Sequence, residues 1–92
     1  MTVRETKNIP TKKPDKKLLK KNFLVLHNDD IHTFDYVIEA LIDICGHNYE
    51  QATQCTFLVH YKGKCDVKKG THSELKPMKE ALIERKLNAT ID

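Results

Sequence analysis

Two groups of side chains in this 92-residue chain can do chemistry. Asn28-Asp29-Asp30 sets three acceptor-rich side chains one residue beyond the apolar run Phe23-Leu24-Val25-Leu26, and His60 stands among Leu58, Val59 and Tyr61. An α-ammonium group offers three N–H donors and a positive charge. An Asn amide oxygen, Asp carboxylates and a neutral imidazole nitrogen all accept. If Phe34, Val37, Thr56 and Val59 wall a space beneath those acceptors, the arrangement suits a free N-terminus carrying a large hydrophobic side chain. Burying a Phe or Leu side chain contributes about 1.5–3 kcal/mol, and each hydrogen bond to a charged group adds roughly 1.5–3 kcal/mol. After the cost of association, an affinity near the micromolar level, about −8 kcal/mol, follows. The same residues have plainer uses. Asn-Asp-Asp between a strand and a helix serves as a turn and cap. A histidine on an apolar helix is commonly a satisfied core residue. Phe34, Val37 and Tyr61 fit an ordinary core.

The elements that must position these groups are legible in the spacing. Phe23–Leu26 reads as a central strand, ended by the Asn-Asp-Asp turn. Thr33 caps a helix with Asp35 in its first turn. Phe34, Val37, Ile38, Leu41, Ile42 and Cys45 recur at helical spacing, and Gly46 ends the run. Asn48 with Gln51 opens a second helix. Ala52, Cys55, Thr56 and Val59 form its stripe. Phe57, Leu58 and Tyr61 widen it, which predicts a well-buried helix ending at Gly63. Lys64–Lys68 alternates as a second strand and turns at Gly70. A third helix carries Leu75, Met78 and Leu82, with Ala81 beside them. Pro77 costs it a hydrogen bond unless it falls in the first turn, so Ser73 is the expected start, ahead of Thr71 with Glu74. Leu87, Ala89 and Ile91 alternate as a last strand. The expected order is β-α-α-β-α-β, an α+β sandwich of a three-stranded antiparallel sheet with helices on one face.

Composition narrows the function. The first twenty-one residues hold Pro10, Pro14 and a run of lysines (Lys12, Lys13, Lys16, Lys17, Lys20, Lys21) with few apolar residues. They read as a flexible N-terminal extension, residues 1–21, ahead of a core domain, residues 22–92. The net charge of +3 belongs to that extension. Its basic residues are not interleaved with aromatics, so nucleic acid is not the expected partner. No run reaches the roughly 18–20 apolar residues a membrane span needs. Cys45, Cys55 and Cys65 lack metal-ligand spacing and read as reduced thiols of a cytoplasmic protein. A Cys55/His60 nucleophile pair is disfavoured, because residues five apart on a helix turn away from each other. No Gly-rich phosphate loop is present. No metal, cofactor or catalytic residue is expected.

Phe23 to Asp30, Thr33-Phe34-Asp35-Tyr36-Val37, Gln51-Ala52-Thr53-Gln54 and Val59-His60-Tyr61-Lys62-Gly63-Lys64, in that order, resemble the ClpS family across residues 22–92. Members of that family are adaptors of the N-end rule pathway, not enzymes. The resemblance implies recognition of N-degrons, proteins beginning with Leu, Phe, Tyr or Trp. It also implies their delivery to a ClpA- or ClpC-type AAA+ unfoldase partnered with ClpP. It places Asn28, Asp30 and His60 on the α-amino group, with Asp29 shaping the loop. Val37, Val59 and Leu87 would line the side-chain pocket. Glu74 and Lys79 match the charged pair of the unfoldase-docking surface, and the extension would engage the unfoldase. A monomer is the default. This chain departs from well-known members at three places. His32 stands at the rim in place of Thr, and Phe34 and Thr56 replace Met. Phe34 adds bulk and Thr56 removes it, so the pocket is expected to broaden at Thr56.

Overall fold

The computed structural model describes residues 21–92; the extension expected over residues 1–21 lies, but for Lys21, outside them. The order is β1 (Asn22–His27), α1 (Phe34–Cys45), α2 (Tyr49–Lys62), β2 (Lys64–Gly70), α3 (His72–Glu84) and β3 (Asn88–Ile91). The sheet is antiparallel throughout, in the order β2-β1-β3. Thus the most apolar strand is central. Leu24 and Leu26 alternate onto the face that packs against Leu41, Val59, Leu75 and Leu82, and both are fully buried. The β2–β1 register shifts where Leu24 faces Lys68 and Val25 faces Asp66, which leaves Val67 as the extra residue of a bulge. The bulged Val67 turns its side chain into the core, and its carbonyl accepts a hydrogen bond from buried His47 Nε2.

Each helix starts and stops on local chemistry. Thr33 Oγ1 accepts from Tyr36 N at 3.2 Å, and Gly46 closes α1 at φ 72°. Asn48 and Gln51 form a reciprocal capping box on α2, and Gly63 closes it at φ 93°. Both terminal positions lie in the left-handed region that a Cβ disfavours. The third helix corrects the sequence expectation. It is capped by Thr71, not Ser73. Thr71 Oγ1 accepts from Glu74 N at 3.2 Å, and Glu74 Oε1 accepts from Thr71 N at 2.9 Å. That box satisfies two terminal donors at once and carries Pro77 into the helix interior. The carbonyl that Pro77 cannot serve belongs to Ser73, which is exposed and open to water.

Burial of α2 is a second correction. Its core stripe is only Ala52, Thr56 and Val59. Phe57, Leu58 and Tyr61 are 47%, 42% and 78% exposed. The helix packs chiefly against α1 and β2. Residues on its other flanks therefore meet solvent, although they are apolar.

Candidate functional site

The loop after β1 carries the first group. Asn28 N donates to Gly63 O at 2.9 Å, which ties this loop to the end of the helix that bears His60. The three acidic and amide side chains then divide. Asp29 turns inward: its Oδ1 accepts from Ile31 N at 2.8 Å and His32 N at 2.9 Å, and its Oδ2 meets His32 Nδ1 at 2.9 Å. Burial alone would raise the Asp29 carboxyl. The hydrogen bonds from the His32 ring and from the two backbone N–H groups outweigh it and hold the group below its ordinary value. Asn28 and Asp30 are exposed, and among the described residues neither side chain is spent on an internal hydrogen bond.

His60 is half-buried on α2. Its Nδ1 lies 3.2 Å from Thr56 O. A carbonyl oxygen only accepts, so Nδ1 carries the proton. In the neutral ring Nε2 is therefore the acceptor. The Phe34 ring lies over the imidazole, with centroids 4.4 Å apart and planes at 41°. Phe34 also meets Phe57 edge-on at 5.0 Å, and Phe57 stacks on Tyr61 at 5.6 Å.

The expected apolar walls lie inside the fold. Val37, Val59 and Leu87 are 3%, 3% and 4% exposed, and all belong to the main core. Thr56 is fully buried and donates its hydroxyl to Ala52 O at 2.7 Å, so it offers a methyl group and no free donor. Half-buried Phe34 packs against this core. Surface depressions of about 340–450 Å³ occur elsewhere, for example beside His47 and Gln51 or beside Gln54, Phe57 and Leu58.

His32, expected at the rim, stacks on Tyr36 with ring centroids 4.6 Å apart and planes at 20°. The Tyr36 hydroxyl donates to Arg85 O at 2.7 Å. Sequence reasoning gave Tyr36 no role; its four-residue spacing from His32 was the available signal. Glu74 and Lys79 are not brought together as an ion pair among the described residues. Glu74 is exposed, and its carboxylate is held by the Thr71 backbone N–H and hydroxyl, which keep it below its ordinary value. Lys79 is half-buried further along α3.

Among the described residues no thiol shares a hydrogen bond with His60, and its Nδ1 is turned to the Thr56 carbonyl. Burial pushes the Cys45 thiol up to about 11. Burial, and then its neighbour Cys55, push Cys65 up to about 12. Such thiols are poor nucleophiles at neutral pH. Among the described residues no three His, Cys, Asp or Glu side chains are placed to hold a metal ion, and no helix is long and apolar enough to cross a membrane.

Comparison with known proteins gives one answer. The chain is 41% identical over 64 residues to the ATP-dependent Clp protease adapter protein ClpS of Edwardsiella ictaluri, an alignment covering 67% of this chain and 58% of that protein. The ClpS adapter of Campylobacter jejuni is 42% identical over 40 residues, covering 44% of this chain and 42% of its own. The matched stretch thus spans less than two thirds of the length of these relatives. The fold is that of Agrobacterium tumefaciens ClpS2 in its structure bound to L-phenylalaninamide, with a TM-score of 0.74 at 20% identity over 79% of this chain and 95% of that one. Residues 19–90 match the family described as ATP-dependent Clp protease adaptor protein ClpS. This chain belongs to the ClpS family.

Proposed function

We propose that this protein binds the free N-terminal residue of substrate proteins, where that residue is bulky and hydrophobic, and delivers them to a AAA+ Clp unfoldase of the ClpA or ClpC type for degradation by ClpP. It acts by binding, without catalysis or cofactor, as a cytoplasmic monomer. The observation that carries the reading is the division of labour around the loop. Asp29 is consumed in holding the loop, which leaves Asn28, Asp30 and His60 Nε2 as acceptors not spent within the fold among the described residues. Three acceptors, with net negative charge from Asp30, match the three N–H donors and positive charge of an α-ammonium group. The Asn28–Gly63 backbone bond joins the two acceptor-bearing segments. The ligand named for the ClpS2 structure, L-phenylalaninamide, is a phenylalanine whose amine is not part of a peptide bond.

The substrate's first side chain would displace Phe34 from its place over the core and take up contacts with Val37, Thr56, Val59 and Leu87. The Lys-rich segment 1–21 and the α3 surface bearing Glu74 and Lys79 are assigned to the unfoldase. Fluorescence anisotropy with a short Phe-first peptide, amine free and then acetylated, tests the reading. Binding of the free form alone, lost in Asn28→Ala and in His60→Ala, is the expected result. Equal binding of both forms refutes recognition of the amine.

A further inference from the structure

One strained turn in the fold is held from outside its own element. Lys86 has φ 69°, among the described residues the only positive value at a non-glycine position. Side chains with a Cβ avoid this region, and such a conformation persists only when its surroundings over-determine it. Local bonds close the turn in the usual manner of a helix end with a left-handed residue: Lys86 N donates to Ile83 O at 2.9 Å, and Leu87 N to Leu82 O at 3.0 Å. A further tie comes from α1, through two contacts on Arg85. The Tyr36 hydroxyl donates to Arg85 O at 2.7 Å, and the Arg85 guanidinium meets Asp43 Oδ2 at 3.2 Å. The ion pair is solvent-exposed and weak. The Tyr36 bond is short, and its donor is itself fixed, because the ring is clamped by the stacked His32. His32 is anchored in turn by Asp29 at 2.9 Å.

These contacts form one continuous chain, Asp29–His32–Tyr36–Arg85, from the amine-binding loop to the turn that delivers Leu87. Resting on the function proposed above, we infer that Tyr36 is a positioning residue for the N-terminal-residue pocket. It touches no substrate. It sets the separation between the loop that holds the ammonium group and the Leu87 wall, and so decides how broad a first side chain is admitted. A β-branched side chain is widest next to its backbone. It is therefore the shape most sensitive to this separation.

The test uses the full chain and Tyr36→Phe, which keeps the ring and the His32 stack and removes one hydroxyl. Affinities are measured for peptides differing only in a first residue of Leu, Phe or Ile, each with a free and an acetylated amine. The expected result is a rise of at least about threefold in the Ile-to-Leu affinity ratio. Acetylation still abolishes binding, and the melting temperature stays within a few degrees of the wild type. Asp43→Asn, which removes only the exposed tether, moves the ratio less. An unchanged ratio in Tyr36→Phe, or an equal loss for all three first residues, overturns the positioning role and leaves the amine-binding reading standing. A wild-type chain that binds none of the free-amine peptides overturns both.

Discussion

Adjacent residues of one short loop serve opposite ends. Asp29 looks inward and builds the loop; Asn28 and Asp30 look outward and keep their acceptors free. Replacing Asp29 by Asn retains one oxygen for the Ile31 and His32 backbone N–H groups but puts an amide where the His32 ring expects a carboxylate. Unfolding in urea should report a loss of about 1 kcal/mol, modest because the group is partly hydrated. The sign of its pH dependence follows from the direction of the shift. The folded carboxyl titrates below the ordinary aspartate value. Its contribution is therefore complete above that value and disappears as the pH falls through the lower, folded one. Asp29→Asn should lack this acid-sensitive component, which a comparison of stability at neutral and strongly acid pH reads directly. His60 gives a binding prediction of a different kind. Its Nε2 can accept from the ammonium group, whereas a lysine there would set a cation beside it. His60→Lys should abolish the binding of a free-amine peptide. Unchanged affinity in that variant would remove His60 from direct contact.

At the level of the element, caps decide where helices begin, and the third helix shows how. Thr71 and Glu74 satisfy each other's terminal donors at 3.2 and 2.9 Å, and this outweighs the hydrogen bond lost at Pro77. Thr71→Ala should lower stability by about 1 kcal/mol, whereas exposed Ser73→Ala should change it by less than about 0.5 kcal/mol. Chemical denaturation of the two variants side by side distinguishes a start at Thr71 from a start at Ser73. The same box has a functional corollary. In the unfoldase contact proposed above, the Glu74 carboxylate would be already bonded to its own helix. The second helix teaches a separate lesson. Its apolar face is wider than the surface available to receive it, so Phe57 and Tyr61 form an exposed stacked pair beside the site.

For the whole molecule, the proposed function assigns recognition and delivery to different parts of the chain. Removing residues 1–21 should leave the affinity for a Phe-first peptide within about twofold, while slowing degradation of a Phe-first protein by the unfoldase and protease. An equal loss in both assays would place the segment in the recognition site itself. Much of this design was readable before any coordinates. The apolar run of β1, the helical spacing from Phe34 to Cys45, the Asn48–Gln51 box and the glycines after two helices are all encoded within a few residues. Periodicity and capping act at that range, and so the element order and the antiparallel sandwich could be written down from them. The acceptor-rich loop and His60 were likewise visible as residue types. What local chemistry could not decide was orientation. Nothing in Asn28-Asp29-Asp30 says that the middle carboxylate is the one turned inward, or that His60 points Nδ1 to Thr56 O and not to Cys55. Nor does helical spacing reveal that Phe57 and Tyr61 meet solvent, because burial depends on where the neighbouring layer ends. The bulge that hands the Val67 carbonyl to His47 and the bond from Tyr36 to Arg85 join residues 20 and 49 positions apart. Contacts at such range exist only once the sheet has brought distant segments together. The sequence by itself determined which elements form and which acceptors are on offer; the tertiary structure decided which of those acceptors are free to bind, because only packing determines which are consumed within the fold.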